Sequence, residues 1–324
     1  MTNPTYRRFA LVLSTLAAMA GCTSAGERTN TIELSIEPYH VPVGAEVQRC
    51  HEMTLPSDTD VDIDQIAWRF SKGSHHLHVY VSADGSTGAK VQSYDCFQAV
   101  DFEKWHLLVA TQNEGLEWTL PEGVAFKIKA RQSIMIQTHY LNTDALKAEG
   151  STAEGSVLLR VAEPEAVEKR AAAIFAQNRN IHVPARSSAR VEGECALPGD
   201  GNIIAMTGHY HLHGTAFQVW VDPATRDPEM VYESSGFSSP VWKTYDDLHL
   251  GGTDGFGWAC DYVNSLDIPL AFGPREDIEE HCNLFAFYTL DRGDAEFLPC
   301  VIKAEAPPEL SSSPPRSGIR TSDP

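Results

Sequence analysis

The segment TGHYHLHG, residues 207–214, places histidines at alternate positions: His209, His211 and His213. Alternation is the period of a β-strand, so the pattern predicts one strand with all of these imidazoles on the same face. At roughly 3.3 Å per residue, neighbouring histidines would lie about 6.6 Å apart and the outer two about 13 Å apart. A metal ion with bonds of about 2 Å can then be shared by His209 and His211, or by His211 and His213, but not by all of them.

Two further histidine motifs favour a metal site over the alternative, a strand whose polar face happens to be rich in histidine. They are SHHLH at residues 74–78 and QTHY at residues 137–140. On a regular strand His76 would share a face with His78, because adjacent residues point to opposite faces. His75 and His76 can share an ion only if the backbone bulges, and the glycine and serine just before them favour such an irregularity.

The length and charge of the chain limit the classes of function. A chain of 324 residues is long enough for two domains that each bury a core. Its formal charge of -19 comes from 44 acidic and 25 basic residues. Such a surface repels nucleic acid and anionic lipid but not cations. We therefore expect no nucleic-acid partner.

Short runs of β-branched or alternating residues recur along the chain, separated by Pro, Gly and Asp. They are residues 31–36, 62–70, 76–81, 124–130, 133–140, 180–183, 201–206, 209–221, 257–262 and 283–288. This rhythm predicts an all-β protein built from antiparallel sheets rather than βαβ units. Residues 165–178 alone have a helical composition, and they form either a linker helix or the first strand of the second half.

The first 22 residues have the composition of an export signal. Arg7 and Arg8 precede an apolar run over residues 9–20 that is too short to span a membrane. Gly21 and Cys22 follow, as in the bacterial lipobox, whose cysteine is acylated and becomes the mature N-terminus. We expect an exported bacterial lipoprotein, anchored to a membrane through lipid on Cys22, in the outer membrane or facing the periplasm. An ordinary secretory signal is the alternative.

With Cys22 acylated, an even number of cysteines remains, at positions 50, 96, 195, 260, 282 and 300. In an oxidising compartment they predict three disulfides, for which the sequence alone permits 15 pairings. None of them has the close spacing of a zinc ribbon or a redox pair, so a structural role is favoured.

Taken in order, the motifs resemble those of the copper type II, ascorbate-dependent monooxygenases, the family of peptidylglycine α-hydroxylating monooxygenase and dopamine β-monooxygenase. The order is His-His at 75–76, Gln-x-His-Tyr at 137–140, His-x-His at 209–211 and Glu-x-Cys-Asn-Leu at 280–284. The resemblance covers about residues 45–302.

The resemblance implies two tandem antiparallel β-sandwich domains of jelly-roll type, over residues 32–167 and 168–303, with one copper ion on each. Composition predicts a small, polar tether before them, over residues 23–31, and a disordered tail rich in Pro and Ser after them, over residues 304–324.

The first copper, the electron donor, is expected on His75, His76 and His139. Gln137 shares a face with His139 and matches a glutamine of the peptide-amidating branch, so the resemblance places it between the copper sites. His78 falls outside the family pattern, and we expect it to orient a ligand rather than to bind metal.

The second copper, where O2 is activated, is expected on His209, His211 and the residue before a cysteine. The family has methionine at that last position, whereas this chain has His281. A thioether favours Cu(I), but imidazoles also suit Cu(II) or Zn(II), so the metal site is kept and its oxygen chemistry is altered. Met206 would face away from His209 on a regular strand, and His213 is expected to lie outside the metal's ligands.

The resemblance also implies one of the 15 disulfide pairings. The pairs are Cys50 with Cys96, Cys195 with Cys300, and Cys260 with Cys282. Because these pairs use all six remaining cysteines, they support Cys22 as the acylated residue. Closing loops of such length stabilises a domain by about 3–4 kcal/mol.

The residues that correspond to the family's substrate grip suggest a different substrate. The peptide-amidating enzymes hold a substrate carboxylate with an arginine, an asparagine and a tyrosine. At the matching positions this chain has Thr207, Asn283 and Phe285. Because the cation and the phenol are missing, a carboxylate would lose its best partners. We expect a small, more apolar substrate.

The leading hypothesis is a monomeric, copper-dependent monooxygenase that hydroxylates a C–H bond with O2. It would use two copper ions and electrons from ascorbate or another reductant, with His209, His211, His281 and Gln137 at the reacting end. The alternative, favoured by His281, is a non-enzymatic copper-binding lipoprotein on the same scaffold. A third hypothesis is a hydrolase with Zn(II) bound by His209, His211 and His281. Its only candidate general bases are Glu279 and Glu280, which directly precede His281.

Overall fold

A computed structural model of the protein describes residues 30–96, 100–142, 150–221, 228–251 and 255–303. The predicted signal with Cys22 and the predicted tail over 304–324 lie outside the described residues. Most of the predicted tether, residues 23–29, also lies outside the described residues. Its last residue, Thr31, begins the first strand.

The described residues form β-strands and one short 3-10 helix, Pro164–Ala166, without any α-helix in those ranges. The strands of the first half are β1 (Thr31–Ser35), β2 (Tyr39–Val41), β3 (Glu46–Thr54), β4 (Val61–Phe70), β5 (Ser74–Ser82), β6 (Gln92–Asp95), β7 (Trp105–Thr111), β8 (Glu117–Thr119), β9 (Val124–Ile128), β10 (Ser133–Leu141), β11 (Ser151–Ala153) and β12 (Gly155–Val161). Those of the second half are β13 (Lys169–Asn178), β14 (His182–Val183), β15 (Ser188–Ala196), β16 (Gly201–His209), β17 (Gly214–Val221), β18 (Glu229–Ser234), β19 (Lys243–Thr244), β20 (His249–Leu250), β21 (Gly255–Val263), β22 (Leu270–Ala271), β23 (Asn283–Leu290) and β24 (Leu298–Ile302). The prediction of an all-β fold is confirmed.

The largest sheet crosses from one half of the chain to the other. Its strands follow the order β1-β12-β4-β9-β13-β23-β16-β19, with β8, β24 and β20 paired at its sides. The two halves join where Lys169–Ala171 of β13 pair in parallel with Val124–Phe126 of β9. The two predicted domains therefore share one continuous sheet.

A smaller sheet packs on each half of the large one, which gives the expected sandwich arrangement. In the first half the sheet β6-β3-β10-β5-β7 covers the large sheet, and the first hydrophobic core lies between them. In the second half the sheet β15-β21-β17-β18 covers the opposite face and encloses the second core. Each fully buried large apolar side chain in these cores contributes about 1.5–3 kcal/mol relative to exposure.

Residues 165–178, whose composition suggested a helix or a strand, form strand β13 after the 3-10 turn. Its odd-numbered residues Ala171, Ala173 and Phe175 lie in the first core, and Ile174 and Ala176 lie in the second. A strand that is covered on both faces has apolar residues at successive positions, so the alternation that marks a strand is absent.

Three disulfides staple the sheets, with Cα–Cα distances of 5.7, 6.1 and 5.8 Å. They join Cys50 to Cys96, Cys195 to Cys300, and Cys260 to Cys282. These are the pairs that the family resemblance implies. The third disulfide fixes the backbone next to His281, just before β23 begins.

Within the described part of the chain, no helix has both the length and the apolar character needed to cross a membrane.

Candidate metal centre

The adjacent pair His75 and His76 lies at a bulge in β5. His76 pairs with His139 of β10, but the next pair is Ser74 with Tyr140, so His75 is an extra residue without a partner on β10. Because a bulge re-aims side chains, both imidazoles point to the same region, with ring centroids 5.4 Å apart. The predicted bulge is confirmed.

The alternating histidines do not lie on one strand, so the prediction of a continuous strand here is wrong. Strand β16 ends at His209, and β17 begins at Gly214 after a turn. The physical reason is Glu280, whose carboxylate oxygens accept the backbone N–H groups of His211 (2.8 Å) and His213 (2.7 Å). These donors are therefore bound to a buried carboxylate instead of a neighbouring strand.

The side chains of His213 and Met206 lie outside the metal-type cluster, as expected. His213 Nε2 lies 2.9 Å from the backbone carbonyl of Asp277, to which it donates a hydrogen bond. Met206 is buried in the second core, and its sulfur lies 3.7 Å from the hydroxyl of Tyr245.

His281 is fixed by several contacts beside the two histidines of the 209–211 motif. Its ring centroid lies 4.3 Å from that of His211 and 5.2 Å from that of His209. Phe272 stacks on its ring at 5.0 Å, and the Tyr262 hydroxyl donates to its backbone carbonyl at 2.6 Å. The residue that replaces the family's methionine thus points into the same cluster as its predicted partners.

The two predicted ligand sets meet in one group, buried except for the half-buried His281, which we call the histidine cluster. Its members are His75, His76, His139, His209, His211 and His281. The ring of His75, from the first half, lies 5.3 Å from that of His209, from the second. Nitrogen atoms of His75, His209 and His211 all lie within 4.8 Å of one another, so one ion could contact ligands from both halves. The two predicted ligand sets are therefore in contact across the two halves of the chain.

Two pairs of ring nitrogens have the spacing of ligands on a shared ion. His139 Nδ1 lies 3.2 Å from His76 Nε2, and His209 Nε2 lies 3.1 Å from His281 Nδ1. Two nitrogens that each lie about 2.0–2.1 Å from one ion, at an angle near 100°, are about 3.1 Å apart. Each pair could therefore hold an ion with little rearrangement.

Groups behind the cluster set the tautomers of three rings. Glu46 Oε1 accepts from His139 Nε2 at 2.8 Å, and Gln112 Oε1 accepts from His209 Nδ1 at 3.1 Å. The backbone carbonyl of Glu279 accepts from His211 Nδ1 at 3.0 Å. Each bond leaves the other ring nitrogen with a lone pair, as in metal-bound histidines. His211 Nε2 is buried and has no hydrogen-bond partner among the residues described.

Glu46 and Gln112 were missed by the sequence analysis. Gln112 links the two halves, because its amide nitrogen also donates to the backbone carbonyl of Phe237 at 3.1 Å and lies 3.2 Å from His75 Nε2. Neither residue lies in a histidine motif or repeats a recognisable spacing, so no local signal in the sequence could have found them.

Five imidazoles of the cluster are held in the neutral form at physiological pH. Burial, followed by the neighbouring imidazoles, holds the pKa well below the ordinary value for His75, His76, His209 and His281. Burial also lowers the pKa of His211 to about 4. Neutral imidazole is the form that binds metal, so these residues are ready to act as ligands without first losing a proton.

Two buried glutamates lie at the edge of the cluster. Glu276 Oε1 lies 3.1 Å from His75 Nε2, and burial together with the charges of Glu46 and Glu280 raises the pKa of Glu276 to about 8. Burial likewise raises the pKa of Glu280 to about 8, although backbone N–H groups that bond to its carboxylate oppose that shift. Glu276 was not predicted as part of the site, and Glu280 was predicted only as a candidate base of the zinc hydrolase.

A pocket of about 70 Å³ opens beside the cluster, against the rings of His76, His209 and His281. Its wall also includes the side chains of Gln48, Gln137, Gln177, Asn283, Phe102 and Phe175. Among the described residues, no Asp, Glu, Lys or Arg lines it. The pocket is much smaller than the roughly 300–1,000 Å³ of typical ligand sites, and its character is aromatic and amide.

Gln137 and His78 form part of this pocket wall rather than part of the cluster. The Gln137 amide nitrogen lies 3.9 and 3.8 Å from the sulfurs of Cys50 and Cys96. His78 stacks on His76 with ring centroids 4.2 Å apart. His78 therefore supports a ligand from behind, and Gln137 lies against a disulfide while it lines the same pocket as His76, His209 and His281.

The residues at the family's substrate positions are all buried, but they differ in their access to the pocket. Asn283 lines it, and its Oδ1 accepts from Gln177 Nε2 at 3.0 Å. Phe285 packs behind the wall, 5.1 Å from Phe175 between ring centroids. Thr207 pairs with Phe285 across β16 and β23. Nothing at these positions supplies a cation for a carboxylate.

Comparison with known proteins gives no family assignment. No protein-family model matches the chain, and no curated protein sequence matches it. Among solved structures, one of PNGF-II in a C2 crystal form aligns with 9% identity and a TM-score of 0.27, over 82% of this chain and 60% of that one. A secreted protein from Parabacteroides distasonis ATCC 8503 aligns with 9% identity and a TM-score of 0.21, over 81% of this chain and 89% of that one. The ANXUR2 extracellular domain from Arabidopsis thaliana aligns with 7% identity and a TM-score of 0.20, over 85% and 92%.

The chain thus spans 60% of the length of the PNGF-II chain. Similarities at this level support no conclusion about function.

Proposed function

We propose that the histidine cluster binds two copper ions and that the protein is a copper-dependent monooxygenase. The net reaction would convert a substrate C–H bond and O2 to C–OH and water, with two electrons and two protons from ascorbate or another reductant. The observation that carries the proposal is the meeting of six histidines, five of them buried and His281 half-buried, beside a pocket that no Asp, Glu, Lys or Arg lines among the described residues. Imidazole is a good ligand for copper, and the spacing of the ring nitrogens fits bound ions.

Bound copper would accept electrons singly from the reductant and activate O2, while the protein supplies position and exclusion of water. Glu46, Gln112 and the Glu279 carbonyl hold ring N–H groups outward and so keep the other nitrogens toward the metal. The rings of Phe102 and Phe175 would exclude water from the reacting end, which strengthens every polar interaction there.

The substrate that suits this pocket is small and uncharged. Aromatic rings favour an apolar body, and the amide groups of Gln48, Gln177 and Asn283 can bond to one hydroxyl or carbonyl group. A carboxylate would have to be buried without a cationic partner, which is costly. We also propose that the chain is exported and anchored through lipid on Cys22, where an oxidising compartment would keep its three disulfides intact.

The alternative function, a non-enzymatic copper-binding lipoprotein, is favoured by one specific observation. His281 replaces the soft thioether expected where O2 is activated, so the ligand set is imidazole, which also stabilises Cu(II). The zinc hydrolase hypothesis has less support, because Glu280 is engaged by backbone N–H groups and the Glu279 carboxylate accepts from the Arg275 N–H at 2.9 Å. Neither is free to serve as a general base.

Consumption of O2 by the reduced protein tests the proposed function. The copper-loaded protein is reduced without oxygen, exposed to labelled O2 and supplied with small neutral substrates. A monooxygenase would place one labelled oxygen atom in the product for each two electrons consumed. The His211→Ala variant serves as the control that lacks a ligand. A protein that binds copper tightly but consumes no O2 with any substrate would support the binding-protein alternative.

A further inference from the structure

Glu276 has a buried carboxyl group, one oxygen of which is not satisfied by its surroundings. The residue is 5% exposed, and within the part of the chain that the structure describes its Oε1 has no hydrogen-bond donor. The same atom lies 3.1 Å from His75 Nε2, but the two atoms do not form a hydrogen bond. A buried carboxyl oxygen without a donor is costly, and a metal ion that takes the place of the acid proton is a partner that would compensate it.

The loop that carries Glu276 is held against the first-half histidines. The backbone N–H of Glu276 donates to Glu46 Oε1 at 3.2 Å, and the same oxygen accepts from His139 Nε2 at 2.8 Å. This contact docks a loop of the second half on the first and directs the Glu276 side chain to His75. The carboxylate therefore reaches the cluster through a specific arrangement of the backbone.

We propose that Glu276 is a metal ligand, so that the ion nearest His75 is held by imidazole nitrogens and one carboxylate oxygen. This inference depends only on the metal-binding part of the proposed function. A nitrogen and an oxygen that each lie about 2.0–2.2 Å from one ion, near a right angle, are about 3 Å apart, which matches the observed 3.1 Å. A carboxylate is a harder donor than imidazole, so it favours Cu(II) over Cu(I) at this position.

Affinities for Cu(II), Cu(I) and Zn(II), measured by competition with chelators, test the assignment in the full-length protein. Glu276→Gln keeps the shape and removes the charge, and we expect it to weaken Cu(II) and Zn(II) binding about 100-fold and Cu(I) binding much less. Glu276→His supplies a nitrogen donor and should recover most of the Cu(II) affinity. Asp277→Asn, next to it and exposed, is the matched control and should change none of the affinities.

Equal loss of Cu(II) and Cu(I) affinity in Glu276→Gln, without recovery in Glu276→His, would show that Glu276 only positions His75. Unchanged affinities would also overturn the assignment, while leaving the histidine site in place. If Glu276→Gln does not fold, Glu276→Asp, which keeps the carboxylate on a shorter chain, should still bind Cu(II) in preference to Cu(I). Failure of the wild-type protein to bind metal would overturn both proposals. Binding that depends on Glu276 but supports no O2 consumption would overturn the monooxygenase alone.

Discussion

The imidazole rings of His75 and His209 lie 5.3 Å apart, although the two residues belong to different halves of the chain. The bulge in β5 directs His75 toward the end of β16, and Gln112 lies between the two rings with polar contacts to both. A shared sheet holds this arrangement, because β9 and β13 pair across the junction of the halves. The candidate centre therefore requires both halves.

Coupling between the two ligand sets is the first prediction. His139→Ala and His211→Ala each remove one ligand, and adjacent sites should show an interaction free energy above about 0.5 kcal/mol in a double-mutant cycle of copper affinity. The measurement is the copper affinity of the wild-type protein, both single variants and the double variant. Strictly additive losses, with each substitution releasing one ion and leaving the other unaffected, would show that the sites are independent.

Glu280 is predicted to stabilise the loop that carries His211. In Glu280→Gln, an amide NH2 group replaces one of the two oxygens that accept the backbone N–H groups of His211 and His213. One of these buried N–H donors then loses its acceptor. We expect a loss of about 1–3 kcal/mol in the free energy of unfolding, measured with urea, together with weaker copper binding. Glu229→Gln, an exposed position at the start of β18, is the control and should change stability by less than about 0.5 kcal/mol. Equal stability of the two variants would contradict this role.

Gln112 is predicted to matter more for metal binding than Gln137, although both are buried glutamines. Gln112→Ala removes the acceptor that orients His209, so copper affinity should fall by about 10–100-fold. Gln137→Ala alters the pocket wall and should leave the affinity nearly unchanged. The opposite ranking of the two variants in a copper titration would show that the orientation of His209 does not depend on Gln112.

The metal-free protein should lose stability as the pH falls from 7 toward 4. Burial lowers the pKa of His51 and His211 to about 4 and of His78 to about 3 in the folded protein, whereas the unfolded chain titrates near ~6.5. Between these values the unfolded state binds more protons, so stability is lost as the pH falls. Glu276 and Glu280, with pKa values of about 8, act in the opposite direction, but more histidines than glutamates are shifted.

Urea unfolding at pH 5 and pH 7.5, with chelator present, measures this dependence. A lower midpoint at pH 5 is expected. An equal or higher midpoint would mean that the buried carboxyl groups outweigh the histidines.

The sequence indicated much of the fold because the signals are local. Turn residues between short runs predict antiparallel strands, and a pair of adjacent histidines after Gly73 predicts a bulge. Strand β13 was ambiguous because it is buried on both faces, a property of its neighbours in the sheet. The end of β16 at His209 could not be foreseen, because Glu280 causes it from far along the chain.

The sequence predicts which histidines could be metal ligands, but it does not predict that the two sets come together. The histidine motifs identify donors, whereas the closeness of His75 to His209 depends on how the two halves share a sheet. Glu46 and Glu276 are two of 44 acidic residues, and nothing in the sequence distinguishes them from the others. Their role becomes visible only in the fold, where the backbone N–H of Glu276 donates to Glu46 Oε1 at 3.2 Å.

X-ray absorption at the copper edge of the reduced, copper-loaded protein tests the central claim, that this histidine cluster is the copper site. The predicted spectrum has light nitrogen or oxygen neighbours at about 2.0 Å and no sulfur shell near 2.3 Å. His281→Met should introduce the sulfur shell, because that residue points into the cluster beside His211. A sulfur shell in the native protein would contradict the account, because Met206 is buried in the second core and the cysteines at 260 and 282 are joined in a disulfide.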